Sequence, residues 1–330
     1  MNRTTKRSFS ILLFALAAPL AWACGGGNDN LPPPPPPPPP PATVATTPPP
    51  PPADVDAAPP APPPPAVTLL PGAASPDPTP APTVHIVAPT RGQSIPADKA
   101  GDFKVKLDVK NWATAPGSAH VHLILDDKPY KPIFDTKAPI KLSDLPGGDQ
   151  LAEGQHVLVA FPSRANHESV KLKGALTYVE FYVGKAKDKK VDLAKPLLVY
   201  SRPKGNYNGD MANHVLIDFQ LMNETLADGK DHVHIAVTGP GVDMNSPLNA
   251  EVTKFGTPYY LDNLQNGTYS VKLDLVGGDN NPIAGAWNSV TREIKIDHDA
   301  APSPAPMPPA PAGADADAGS ATDAGAKRSK

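Results

Sequence analysis

Between residues 103 and 110 apolar and charged side chains alternate strictly. Phe103, Val105, Leu107 and Val109 fall on one side, Lys104, Lys106, Asp108 and Lys110 on the other. Residues two apart in an extended chain share a face, so the run predicts a half-buried β-strand. Further runs of strand character cover 119–125, 154–161 and 175–183, with Pro, Gly, Asn and Asp clusters between them. The last is apolar on both faces, Leu176, Tyr178 and Tyr182 alternating with Ala175, Val179, Phe181 and Val183. That composition predicts a strand covered from both sides. Helical periodicity is almost absent, and the spacing of the strands is that of an all-β sandwich.

The pattern occurs twice. His120-Val121-His122-Leu123-Ile124-Leu125 has a partner in His232-Val233-His234-Ile235-Ala236-Val237, 112 residues on. An alternating strand precedes each (103–109 and 215–221), and a turn leading to another strand follows each (145–161 and 264–275). A period of about 110 residues is a whole domain, so the expectation is a tandem duplication rather than a solenoid. It divides the chain into domains at 84–186 and 196–298, with a charged, apolar-poor linker at 187–195. Each copy is long enough for one core without disulfides.

Asp262-Asn263-Leu264-Gln265-Asn266-Gly267-Thr268-Tyr269 resembles the tyrosine corner of immunoglobulin-like sandwiches. The first copy has His156 at the matching place, after Glu153-Gly154-Gln155. The Cys…Trp…Cys spacing of true immunoglobulin domains is missing, so the resemblance is to fibronectin-III-like or other bacterial immunoglobulin-like modules. It implies an all-β chain of two tandem immunoglobulin-like β-sandwich domains.

Both flanks are different in kind. The chain has 47 prolines, including the unbroken run Pro32–Pro41. Proline fixes φ and lacks an N–H donor, so 24–83 is expected to be a disordered, extended tether reaching on the order of 100 Å. Residues 299–330, rich in Pro, Ala and Asp, are expected to be a disordered tail. Net charge is −3, and no basic face interleaved with aromatics is visible, which argues against nucleic-acid binding.

Arg3, Lys6 and Arg7 precede an apolar run at 9–20, which is too short to span a bilayer. Ala21-Trp22-Ala23-Cys24 follows, with the only cysteine of the chain. This junction resembles the lipobox of bacterial lipoproteins, although Ala21 and Trp22 depart from its usual residues. The resemblance implies a signal peptide at 1–23, lipidation of Cys24 by diacylglycerol and palmitate, and a membrane anchor in the cell envelope. In a Gram-negative source, Gly25 rather than Asp after the cysteine implies sorting to the outer membrane. Ala21-Trp22-Ala23 also reads as an A-x-A site for the ordinary signal peptidase, which would leave Cys24 as a free thiol.

The sharpest chemical feature is His-x-His, once per copy. With Val121, Leu123 and Leu125 facing the core, His120 and His122 share the opposite face, and His232 and His234 repeat the arrangement. Two imidazoles on one strand face can chelate Cu²⁺ or Zn²⁺ if a third ligand joins them. In an immunoglobulin-like topology this strand is C, and the F–G loop at the same end of the sandwich carries His167 and Glu168, either of which completes a site. The second copy has Asp279-Asn280-Asn281 there. The alternative is that the histidines are structural, bonded to loops over a half-exposed sheet face. Asp126-Asp127 reads as a turn, lacking calcium-loop spacing. No G-x-S-x-G, H-E-x-x-H or P-loop is present, so an enzyme is not expected. The sequence thus points to a non-catalytic envelope lipoprotein presenting two modules to an envelope protein or glycan. Its alternatives are a copper- or zinc-binding protein and a structural spacer.

Overall fold

The structure, a computed structural model, describes residues 36, 63–185 and 188–301. The expected signal peptide, Cys24, the tether before residue 63 (Pro36 apart) and the tail beyond 301 lie outside the described residues. Among the described residues no helix is long and apolar enough to cross a membrane.

The described chain is all-β, in two immunoglobulin-like sandwiches. It enters with β1 (Thr68–Pro71) and builds the first sandwich from β2 (Thr83–Ala88), β3 (Gln93–Ile95), β4 (Lys104–Lys110), β5 (His120–Leu125), β6 (Lys131–Ile133), β7 (Ile140–Lys141), β8 (Gly154–Ser163) and β9 (Thr177–Val183). The second follows as β10 (Leu197–Arg202), β11 (Gly205–Asn208), β12 (His214–Met222), β13 (His232–Thr238), β14 (Leu248–Val252), β15 (Tyr259–Asp262), β16 (Gly267–Val276) and β17 (Ser289–Asp297). In the first, β2-β4-β7 faces β3-β9-β8-β5-β6; in the second, β10-β12-β15 faces β11-β17-β16-β13-β14. Strand for strand the two are the same, down to the parallel pairing of β3 with β9 and of β11 with β17. The duplication read from the two His-x-His runs therefore extends to the topology. It makes β5 the C strand, and β8 and β9 the F and G strands.

Alternation fills each core. Val105, Val121, Leu123, Leu158 and Phe181 meet in the first sandwich; Val215, Ile217, Val233, Ile235, Val271 and Leu273 in the second. Each such buried side chain stabilises by about 1.5–3 kcal/mol. The tyrosine corner is present: the Tyr269 hydroxyl donates to the Pro240 carbonyl (2.6 Å) and accepts from the Gln265 N–H (2.8 Å). His156 plays the related part in the first copy, with Nε2 2.7 Å from the Ala152 carbonyl and Nδ1 bonded to Asp126.

A third apolar cluster lies between the sandwiches. It joins Ile124, Tyr130, Val157, Val159 and Phe161 of the first to Leu197, Val199, Met222 and Trp287 of the second. Strand β10 is responsible, because it is apolar on both faces. Leu198 and Tyr200 belong to its own core, while Leu197 and Val199 face the first sandwich. Next to this seam the partly buried Lys171 donates to the buried Asp218 at Oδ1 across the two sandwiches (2.7 Å), and the Ser169 hydroxyl donates to Asp218 Oδ2 (2.7 Å).

Two segments differ from the sequence expectation. Residues 68–71, read as tether, form β1, which extends the second sandwich by pairing with β15. The stretch read as a linker is held down at its described residues. Lys190 and Val191 donate their N–H groups to Gln155 Oε1 (2.7 and 2.8 Å), and Val191 and Leu193 join the seam. Asn223 adds two more hydrogen bonds, to the Leu193 and Lys195 carbonyls (2.8 and 3.0 Å).

Candidate metal centre

Strand β5 is buried on both faces, and its alternation sorts the two environments. Val121, Leu123 and Leu125 enter the first core; His120 and His122 point the other way, toward the second sandwich. Their face is not half-exposed, as the structural-histidine alternative supposed: His120 is 1% and His122 0% accessible. Trp112 braces the strand by donating its indole N–H to the His120 carbonyl (2.9 Å).

The third histidine arrives by strand pairing. Ser163 at the end of β8 lies opposite His120, so the β8–β9 loop starts beside the histidines. It turns back at once. The His167 N–H donates to the Arg164 carbonyl and the Arg164 N–H to the Glu168 carbonyl (both 2.9 Å), and Ser163 and Ser169 bridge across its neck. His167 sits at its apex with φ 68°, a left-handed conformation uncommon for any residue but glycine. In that pose its ring turns in over β5.

The three rings converge. His120 Nε2 lies 3.0 Å from His122 Nε2 and 3.0 Å from His167 Nδ1, and His122 Nε2 lies 3.4 Å from His167 Nδ1. A triangle with these edges has a point about 2 Å from every corner, the distance of a Zn–imidazole bond. Of the described His, Cys, Asp and Glu residues, only this trio gathers its donor atoms closely enough to hold a metal ion. The proton positions favour ligation. His120 Nδ1 is 2.8 Å from the Ser118 carbonyl, which can only accept, so the hydrogen is on Nδ1 and the Nε2 lone pair faces the cluster.

The surroundings hold the imidazoles neutral. Burial lowers the pKa of all three: His122 falls well below the ordinary value, and His167 to about 2. Arg202 and Lys204 of the second sandwich push the same way. Lys204 Nζ stands 4.2 Å over the Tyr130 ring, which is itself stacked on His122 at 3.5 Å between centroids. Burial and the neighbouring arginines lower Lys204 to about 8. The Tyr130 hydroxyl reaches His167 Nδ1 at 3.2 Å. The site therefore offers neutral nitrogen ligands inside a cationic rim.

Glu168 does not join. Its carboxylate turns away to the segment after β1, accepting the Ser75 N–H (3.0 Å) and the Ser75 hydroxyl, with Arg164 at 3.7 Å. The second copy keeps half of the arrangement. His232 Nδ1 lies 2.8 Å from the Lys230 carbonyl, as His120 does on Ser118, but His234 bonds to Asn249 (3.1 Å) and the two rings have no third histidine. Asp126 and Asp127 form a turn, both at positive φ, with Asp126 on His156 and Asp127 near Arg292 (3.7 Å).

Sequence reasoning did not find Tyr130, Ser201, Arg202 or Lys204 as neighbours of the histidines. One signal existed for Ser201: it continues the alternation of Leu197 and Val199, and so marks a polar position on a buried face.

No family model and no curated protein matches the chain. Among solved structures it is similar to the CbhA fibronectin(III)-like modules of Clostridium thermocellum, at 16% identity over 66% of this chain and 95% of that one, TM-score 0.22. It is likewise similar to the chicken CNTN1 FN1-FN3 domains (8% identity, 68% and 65% covered, TM-score 0.20). A third likeness is to a Ca²⁺-stabilized adhesin of an Antarctic bacterium (12% identity, 66% and 48% covered, TM-score 0.20). At these scores none bears on function. The class is defined by the strand pairing: a tandem immunoglobulin-like chain with a three-histidine cluster at the seam of its sandwiches.

Proposed function

We propose that this chain is a metal-binding protein of the bacterial cell envelope, carrying one Cu or Zn ion on His120, His122 and His167. The observation that carries the reading is the convergence of three ring nitrogens at 3.0, 3.0 and 3.4 Å, a group that no carboxylate or thiol of the described residues joins. Imidazole suits both metals, and three such ligands leave a fourth position for water or an anion. When bound, the ion supplies positive charge that three neutral nitrogens satisfy; the chain's own part is to hold those nitrogens bare and to exclude bulk water. Binding, not catalysis, is the activity we assign. The lipobox-like junction supports an anchor at Cys24, with the proline-rich segment as spacer.

Calorimetric titration of the full mature chain with Zn²⁺ and with Cu²⁺ tests the site. One equivalent bound at micromolar concentration or tighter, and lost on His120→Ala with His122→Ala, is expected. No uptake by the wild type overturns the reading. The anchor is tested separately, by globomycin-sensitive processing and a lipid mass shift at Cys24; an unmodified N-terminal thiol would refute it.

A further inference from the structure

We infer that Ser201, on the second sandwich, is a positioning residue for the metal site on the first, and this rests on the metal reading above. Its hydroxyl lies 3.1 Å from His122 Nδ1, with both residues wholly buried. A neutral imidazole carries one hydrogen, so for Nε2 to offer a lone pair to a metal the hydrogen must sit on Nδ1. A buried Nδ1–H needs an acceptor. For His120 that acceptor is the Ser118 carbonyl, two residues away on the same chain segment. For His122 nothing local serves, and the hydrogen bond found for its Nδ1 reaches 79 residues along the chain to Ser201.

The hydroxyl also suits the metal-free state. There His122 can carry its hydrogen on Nε2 and donate to the bare Nε2 of His120 at 3.0 Å, while Ser201 turns to donate to Nδ1. A serine rotor serves both tautomers; a carbonyl would forbid one of them. Ser201 lies near the end of β10, beyond Leu197 and Val199 that press against the first sandwich, at a break in the β10–β12 register between Tyr200 and Arg202. The site is thus assembled from both copies of the duplication, although every ligand comes from one. In the second copy the matching His234 is bonded within its own sheet instead, at Asn249.

The test compares Ser201→Ala with wild type as full mature chains, using Co²⁺ and Zn²⁺ as probes. The variant is expected to bind about 10–100-fold more weakly, the usual effect of removing an outer partner of a ligating histidine. Equal affinity in the two proteins overturns the role of Ser201 and leaves the metal reading standing. Absence of binding by the wild type overturns both. A second measurement needs no variant: long-range ¹H–¹⁵N correlation of the Zn²⁺-loaded wild type is expected to show His122 protonated at Nδ1 and metal-bound at Nε2. The reverse tautomer would overturn the inference.

Discussion

His167 and Glu168 are adjacent in the sequence and face opposite ways: His167 Nδ1 lies 3.0 Å from His120 Nε2, whereas the Glu168 carboxylate binds Ser75. The left-handed turn at His167 divides the loop into a ligand and a strut. Two substitutions should therefore separate. His167→Ala is expected to weaken metal binding by at least about 100-fold, beyond what an outer-shell change does. Glu168→Ala is expected to leave affinity within about threefold but to lower stability by about 1–3 kcal/mol through its lost hydrogen bonds. Calorimetry and urea denaturation of both proteins check the pair of outcomes.

The cationic rim should oppose a bound cation. Lys204 lies over Tyr130, and with Arg202 it lowers the pKa of all three histidines. Removing one positive charge beside a dication is worth a kcal/mol or more at short range, so Lys204→Gln is expected to tighten Zn²⁺ binding by about tenfold. Weaker binding by that variant would instead assign Lys204 to an anion held with the metal.

Acid should loosen the metal-free protein through the histidine cluster. The folded-state pKa values of His120, His122 and His167 lie below the ordinary 6.5, that of His167 at about 2. Between the folded and unfolded values the unfolded chain holds more protons, so this contribution is present above 6.5 and is lost as pH falls below it. Two groups act oppositely. Burial lowers His156 but its bonds to Asp126 and Ala152 outweigh that and raise it, and burial raises Asp127 to about 7. Each stabilises toward lower pH, so a difference between proteins is the clean readout. Between pH 7 and pH 5 the metal-free wild type is expected to lose about 1–2 kcal/mol more than His167→Asn, by urea denaturation. Equal losses would contradict the assignment.

The ion pair between the partly buried Lys171 and the buried Asp218 should matter for stability and not for metal. Lys171→Met leaves Asp218 buried with only the Ser169 hydroxyl and N–H beside it. Removing one partner of such a pair costs about 3–5 kcal/mol. A loss of that size in chemical denaturation, with Zn²⁺ affinity per folded molecule unchanged, is expected; a loss below about 1 kcal/mol would show that the pair does not hold the seam.

Much of this was legible in the chain because strand period is simple. Strict alternation at 103–110 and the two His-x-His runs gave β4, β5 and β13, their facing, and the duplication. Topology then put the F–G loop at the end of β5 where His167 lies. The remainder depends on tertiary contacts that leave no period. Leu197-Leu198-Val199-Tyr200 says that β10 is covered on both sides, but not that the His-bearing sheet covers it. The four residues of β1 end in a proline at the sheet edge and blend into the composition of a tether. A loop has no alternation, so nothing in the sequence separates Glu168 from His167.

The most direct measurement is X-ray absorption at the Zn K-edge on mature protein loaded with one equivalent of Zn²⁺. Three imidazole nitrogens at about 2.0–2.1 Å, with the fourth position taken by a light atom and the signal lost in the His120→Ala, His122→Ala protein, are expected. Failure to retain the ion, or a coordination shell of oxygen or sulfur that survives the double substitution, would contradict a metal centre at His120, His122 and His167.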